Sequence, residues 1–214
     1  MIDRLADFLY LHSTHIVVLT ESFRKNLISK RGIKEEKISI VENGIETDVF
    51  KLLEIKPEIK RDLGTGDKFI VSYIGTFGYA HGLETVLEAA EILKDDEDIN
   101  FLLIGEGVRK DYLIDLAKEK NLENVRFLDF QSRKMIPQFI NLSDVCMVLL
   151  KDSEVFKTVV PSKMLEFMAC GKPIILGVDG QAREVMEKSN AGIFIPPERS
   201  KKPCRSNNKS KDDP

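Results

Sequence analysis

Short apolar runs alternate with amphipathic stretches along most of this chain. Residues 15–19, 37–41, 68–74, 99–104, 124–128, 145–149, 174–176 and 193–195 are rich in Ile, Val, Leu and Phe and bounded by polar or turn-forming residues, which predicts buried strands. Between them, apolar positions recur at helical spacing. The run Leu83 to Leu93 has apolar residues at 83, 86, 87, 90 and 93, and residues 111–120, 135–142, 162–170 and 181–188 behave in the same way. Strands that are apolar throughout and joined through helices predict a parallel sheet covered on both faces, that is, a Rossmann-like doubly wound α/β domain. No internal repeat is evident.

Polar stretches divide the pattern. Residues 51–67 carry Pro57, Gly64 and Gly66 and separate a short β/α piece, residues 1–50, from an α/β domain over residues 68–197, so they read as a hinge or linker. Residues 198–214 (ERSKKPCRSNNKSKDDP) hold almost nothing apolar and predict a disordered tail.

Composition narrows the partners. The chain has 214 residues, 43% hydrophobic and 31% charged, enough for a sizeable core. A net charge of -3 and a pI near 5.8 argue against bulk attraction to nucleic acid or to an anionic membrane. Of the three cysteines, Cys146 and Cys170 sit in apolar segments and Cys204 in the polar tail, which suggests buried thiols in a reducing compartment rather than a disulfide framework or a metal site. The longest apolar runs fall far short of the roughly 20 residues a spanning helix needs, and the first residues lack a basic-then-apolar signal pattern. The expected location is the cytoplasm.

Candidate chemistry concentrates in residues 160–173 (VPSKMLEFMACGKP). Pro161 suits a first helical turn and Ser162 can cap it, so free backbone N–H groups and the positive end of the helix dipole would point at an anion. Lys163 adds a mobile point charge. Glu166, one turn along the same face, can accept two hydrogen bonds from a vicinal diol such as a ribose. Gly171 stops the helix and Lys172-Pro173 launches a strand. The same residues also read as an ordinary amphipathic helix with Met164, Leu165 and Met168 in the core and an i,i+3 salt bridge outside. Further candidates lie in loops at the carboxyl ends of strands, where ligands bind to open α/β sheets. Gly75-Thr76-Phe77-Gly78 allows close backbone approach to a phosphate or sugar, or is a plain strand-to-helix turn. His81 just beyond it is a proton-sharing or phosphate-contacting group, or a structural cap. Gly105-Glu106-Gly107 is a tight turn after a buried strand, and Phe130, in Asp129-Phe130-Gln131-Ser132, reads as a core residue.

The helix of residues 160–173 resembles the donor-site helix of retaining glycosyltransferases of family 4, which have the two-domain GT-B fold. The likeness runs from about Phe8 to Pro197 and takes in, in the expected order, residues 16–23 (IVVLTESF), 38–50 (ISIVENGIETDVF), 74–77 (IGTF) and 103–107 (LIGEG). It implies that residues 1–50 are the closing part of the N-terminal GT-B domain, so that the chain is N-terminally truncated. It also implies a sugar-donor site built from Gly75, Thr76, Phe77, Gly78, Gly105, Phe130, Thr158, Val160, Ser162, Lys163 and Glu166, with His81 and Lys163 in catalytic roles. Two departures stand out. No Arg accompanies the first glycine loop, and Thr158 takes the place of the first carboxylate in the family's Glu-x7-Glu, which leaves backbone N–H groups of residues 158–160 to meet the sugar.

The implied reaction is transfer of a hexosyl group from a UDP-sugar, with retention of configuration, to a cell-surface polysaccharide or lipid-linked acceptor. The resemblance implies no metal and no cofactor, in keeping with the lack of Asp-x-Asp. It implies peripheral contact with the inner membrane face in the full-length form. Loss of most of an N-terminal domain would bare apolar surface and favour self-association. The alternative function is a folded, inactive nucleotide-sugar-binding module. A nicotinamide-dependent oxidoreductase would need G-x-G-x-x-G, which the sequence from Gly75 to Gly78 does not supply. The epimerases that share the GT-B fold would need a set of catalytic carboxylates and histidines that is not found.

Overall fold

All eight apolar runs become strands in a computed structural model that describes residues 2–55 and 57–197. The chain order is α1 (Ile2–His12), β1 (Ile16–Val18), α2 (Glu21–Arg31), β2 (Ile38–Ile40), α3 (Pro57–Asp62), β3 (Phe69–Ile74), α4 (Glu84–Ile92), β4 (Ile99–Ile104), α5 (Lys110–Glu119), β5 (Val125–Leu128), α6 (Ile136–Leu142), β6 (Val145–Leu149), α7 (Ser162–Ala169), β7 (Ile174–Gly177), α8 (Gln181–Ser189) and β8 (Gly192–Phe194). The polar segment 198–214, with Cys204, lies outside the described residues.

Six strands form one wholly parallel sheet in the order β5-β4-β3-β6-β7-β8. Alternation within each strand feeds two cores. Ile70 and Ile74 of β3, Leu102 and Ile104 of β4, and Cys146 and Val148 of β6 face Met164, Phe167, Ala182 and Met186 of α7 and α8. Val71 and Tyr73, Phe101 and Leu103, and Met147 and Leu149 face Val86, Leu87 and Leu113 of α4 and α5. This period of two across a doubly covered sheet is why the strands read as continuous apolar runs. β3 and β6 are neighbours, yet their connections leave toward opposite edges of the sheet, and that reversal opens a crevice at their carboxyl ends.

A smaller unit precedes the sheet. β1 and β2 pair in parallel, and Ile16, Val18, Leu27, Ile33 and Ile38 make its core under α2. Thr20 caps α2 by accepting the Phe23 N–H at 3.1 Å, and its own hydroxyl donates to the Thr158 carbonyl at 2.6 Å, tying this unit to the larger one. Gly32, at φ +64, ends α2 in the left-handed region that glycine enters without strain. Phe8, Leu9 and Leu11 of α1, with Val17 and Val41 beside the small sheet, are exposed. No helix among the described residues is long and apolar enough to cross a membrane.

The stretch read as a hinge is instead packed. α3 lies within it, Ile55, Ile59 and Leu63 lean on the first core, and Phe50, assigned to the preceding piece, is 1% exposed inside that core. Asn141 explains the fixed course of the backbone. Its amide nitrogen donates to the carbonyls of Lys51 and Pro137 at 2.9 and 2.8 Å, and its oxygen accepts the Leu53 N–H at 2.9 Å. Apolar residues at 55, 59 and 63 carried this signal, but Pro and Gly outweighed them in the reading of the sequence. Asn141→Ala strands buried backbone groups, so it should lower stability by about 2–3 kcal/mol. That corresponds to a fall of about 5–10 °C in Tm in a calorimetric scan.

Candidate functional site

Loops leaving β3, β4 and β5 meet α7 around an open cavity of about 360 Å³. Ile74, Ile104 and Ile136 form its apolar floor. Gly75, Thr76, Gly105, Glu106, Phe130, Gln131, Arg133 and Glu166 form its walls. The volume and the mixture of apolar floor and polar walls suit a small organic ligand. Close backbone approach builds the floor. A Cβ on Gly105 would lie 1.8 Å from the Gly75 carbonyl oxygen, so only glycine lets these two strand ends converge.

Under Gly75 lies the ammonium of Lys163. A Cβ on Gly75 would come within 2.6 Å of Nζ. Nζ is buried, has no hydrogen-bond partner among the described residues, and rests 4.2 Å from the centre of the Tyr73 ring. Tyr73 is itself pinned, its hydroxyl donating to the Thr76 carbonyl at 2.8 Å, and burial raises its pKa far above the usual phenol range. Burial pulls the Lys163 pKa down to about 8, against the opposing pull of Glu166. A buried, unpartnered cation at the first turn of a helix is a costly arrangement whose natural complement is an anion.

The helix start differs in detail from the sequence reading. Pro161 is the N-cap residue, with φ -60 and ψ 129, and Ser162 is already inside the first turn. Proline has no side-chain acceptor, so no side-chain cap forms; the Met164 N–H turns back to the Pro161 carbonyl at 3.0 Å, and the Ser162 and Lys163 N–H groups are left uncapped at the helix start. Glu166 lines the cavity and is mostly buried. Its Oε1 accepts from Arg133 Nη1 at 3.2 Å, while Arg133 Nη2 reaches Glu46 at 3.3 Å and the guanidinium lies over Phe50. Arg133 is thus a cation at the cavity mouth. No spacing along the chain distinguishes it; its place in the loop after β5 is the one mark it carries.

Several expected residues lie elsewhere. Phe77 is 0% exposed, packed between Tyr73 and Phe127, and its backbone N–H and carbonyl are bonded to Glu106 and Arg109, so neither ring nor backbone is free to meet a ligand. Thr158 folds into a short 3-10 turn, donates to Val155, and receives Thr20, which turns it toward the small N-terminal unit. Val160 lines a different cavity, of about 140 Å³, with Thr20, Glu42 and Asn43. Gly78 accepts the His81 N–H and stands outside the cavity wall.

His81 does not start a helix. It closes a 3-10 turn, and its Nδ1 lies 3.2 Å from the Leu149 carbonyl on β6. A carbonyl only accepts, so Nδ1 carries the proton and Nε2 presents a lone pair. Burial first, and the charge of Lys163 second, lower the His81 pKa. The ring lines a separate small pocket with Leu149, Gly177 and Ile195 and is not among the residues that wall the 360 Å³ cavity. Among the described residues no group of three or more His, Cys, Asp or Glu side chains converges in metal-binding fashion.

Residues 55–205 match the family described as glycosyl transferases group 1. An uncharacterized glycosyltransferase of Methanocaldococcus jannaschii is 25% identical over 190 residues, covering 86% of this chain and 47% of that protein. The putative colanic acid biosynthesis glycosyl transferase WcaI of Escherichia coli is 28% identical over 164 residues, 75% of this chain and 40% of the relative. The chain spans about half the length of the curated relatives it matches. Among solved structures, Anabaena HepE in complex with UDP and glucose superposes with a TM-score of 0.76 at 20% identity, over 92% of this chain and 53% of that one, a likeness of fold.

Proposed function

The chain belongs to the group 1 glycosyl transferases, and from that premise we propose that its cavity binds the nucleotide part of a sugar donor, a UDP-sugar, whose hexosyl group is transferred with retention of configuration. One observation carries the reading: the buried Lys163 ammonium has no hydrogen-bond partner among the described residues and lies at the uncapped start of α7, one turn from the Glu166 carboxylate. Diphosphate supplies the missing counter-charge, and a ribose diol supplies two hydrogen bonds to Glu166 in place of Arg133. Gly75, Thr76 and Gly105 approach through their backbone, Ser162 through its N–H, and Phe130 lies beside the base. In transfer, the charge that builds on the leaving diphosphate is met by Lys163 and the helix start, without a metal or cofactor in our reading. His81, neutral and accepting, orients a sugar hydroxyl. The HepE complex with UDP and glucose, and the name of WcaI as a putative colanic acid biosynthesis transferase, support a UDP-linked donor and a polysaccharide acceptor; a lipid-linked acceptor at the inner membrane face is part of our proposal alone.

Calorimetric titration with UDP, alongside a radiolabelled UDP-glucose turnover assay, tests this reading. Saturable binding is expected, and Glu166→Ala should weaken UDP roughly tenfold, about 1.4 kcal/mol, while leaving inorganic pyrophosphate little changed. Binding without turnover would identify a nucleotide-sugar-binding module, and a folded chain that ignores UDP would refute the reading outright. We further propose self-association through the exposed apolar side chains of α1 and the small sheet. Sedimentation velocity over rising concentration checks it, and a monomer throughout would count against it.

A further inference from the structure

We propose that Lys110 is a positioning residue for nucleobase selection, locking the loop after β4 to the loop after β5 so that Phe130 and Gln131 stand as a fixed wall of the cavity. The inference rests on the nucleotide reading above. Lys110 opens α5 and yet is only 9% exposed, an uncommon state for lysine. Its Nζ lies 2.6 Å from Glu106 Oε1 and 2.5 Å from Asp129 Oδ1. The same Glu106 oxygen accepts the Phe130 N–H at 3.3 Å. One ammonium therefore joins two loops that no strand pairing joins any longer, since the β4–β5 ladder ends where the Gly105 N–H meets the Leu128 carbonyl.

The clamp matters because Phe130 is not held by core packing. It is 72% exposed and belongs to neither large core cluster, so its position depends on the backbone to which it is attached. Glu166 lines the cavity and the Lys163 ammonium lies beneath its Gly75 wall, so a donor whose ribose and diphosphate meet these two leaves the wall of Phe130 and Gln131 for a planar heterocycle. An aromatic face and a side-chain amide can stack on a base and read its edge. Without Lys110, two carboxylates would face each other across the loops and push them apart.

The test titrates the whole chain and its Lys110→Met, Lys110→Arg and Glu106→Gln variants with UDP, ADP, GDP and inorganic pyrophosphate, with thermal melts in parallel. For Lys110→Met, UDP affinity should fall about tenfold. Its preference among the three bases should collapse toward unity, while pyrophosphate affinity stays within about twofold. Lys110→Arg should recover most of the preference, and Glu106→Gln should lose it. A folded Lys110→Met that keeps the wild-type base preference overturns the proposal, as does a loss of pyrophosphate binding in step with UDP. Should Lys110→Met not fold, Asp129→Asn, at a carboxylate 87% exposed, takes its place: a narrowed preference supports the clamp and an unchanged one overturns it. Wild-type protein that binds no nucleotide overturns the donor-site reading itself, and this inference with it.

Discussion

Replacing Lys163 with Met is expected to raise the stability of the fold and at the same time to abolish nucleotide binding. Nζ is buried without a hydrogen-bond partner among the described residues, and burial holds the group near pKa 8, below the ordinary lysine value of 10.5. A depression of that size corresponds to about 3 kcal/mol of folded-state penalty on the charged form. The Tyr73 ring offsets part of it, at about 0.5–2 kcal/mol for a desolvated cation on an aromatic face. Met keeps the length of the side chain and packs against Tyr73 without charge. The net expectation is a gain of about 1–2 kcal/mol and a Tm about 3–6 °C above wild type at pH 7. UDP affinity should fall at least about 100-fold, or about 2.7 kcal/mol. Because the folded pKa is the lower one, the penalty is full below pH 8, fades between pH 8 and 10.5, and vanishes where the lysine is neutral in both folded and unfolded chains. Calorimetric scans at pH 7 and 10.5 should therefore show the Met variant's advantage shrinking. A variant that melts below wild type at pH 7 would mean that the ammonium is well satisfied as it stands, and the argument for an anion partner would fail.

The architecture was legible because parallel strands between two helical layers leave an unbroken apolar signature, and turns with glycine bound it. The strands over 99–104 and 145–149 fall on the residues the pattern marked. The helix of residues 160–173 was legible too, since a helix start, a lysine and a carboxylate at i+3 are local in sequence, and all three stand on α7. What stayed hidden depended on distance through the fold. Phe77 shares the glycine loop with Thr76, but strand geometry sends its ring into the core beside Phe127, and no spacing along the chain reveals that. Thr158 and Val160 neighbour Lys163 in sequence, yet the extended Pro161 turns the backbone so that they face Thr20 and Asn43 instead. The packing of residues 51–67 was missed because one buried amide, Asn141, fixes it from 90 residues away. Tyr73 and Arg133 become visible only once their partners, Lys163 and Glu166, are in place.

UDP binding should weaken only about twofold from pH 7 to 8 and should approach a tenfold loss per pH unit above that. Well below its free-state pKa of about 8, Lys163 is charged whether or not the nucleotide is bound, so no proton moves. A diphosphate placed against Nζ raises that pKa, because an opposite charge favours the charged form. Between the free and bound pKa values, binding must therefore draw a proton from solution, and affinity declines with each unit of pH. Work above pH 7 keeps the terminal phosphate of the nucleotide, with a second pKa near 6, fully ionised and out of the slope. His81 does not contribute in this window, since its pKa lies below the ordinary histidine value and its Nδ1 proton is held by Leu149. Titrations at pH 8.5 in two buffers of different ionisation enthalpy should report uptake of about three quarters of a proton per UDP. Whatever residual binding Lys163→Met retains should show neither the slope nor the uptake. If wild type binds UDP with no proton uptake at pH 8.5, the diphosphate does not lie against Lys163, and the helix start alone must carry its charge.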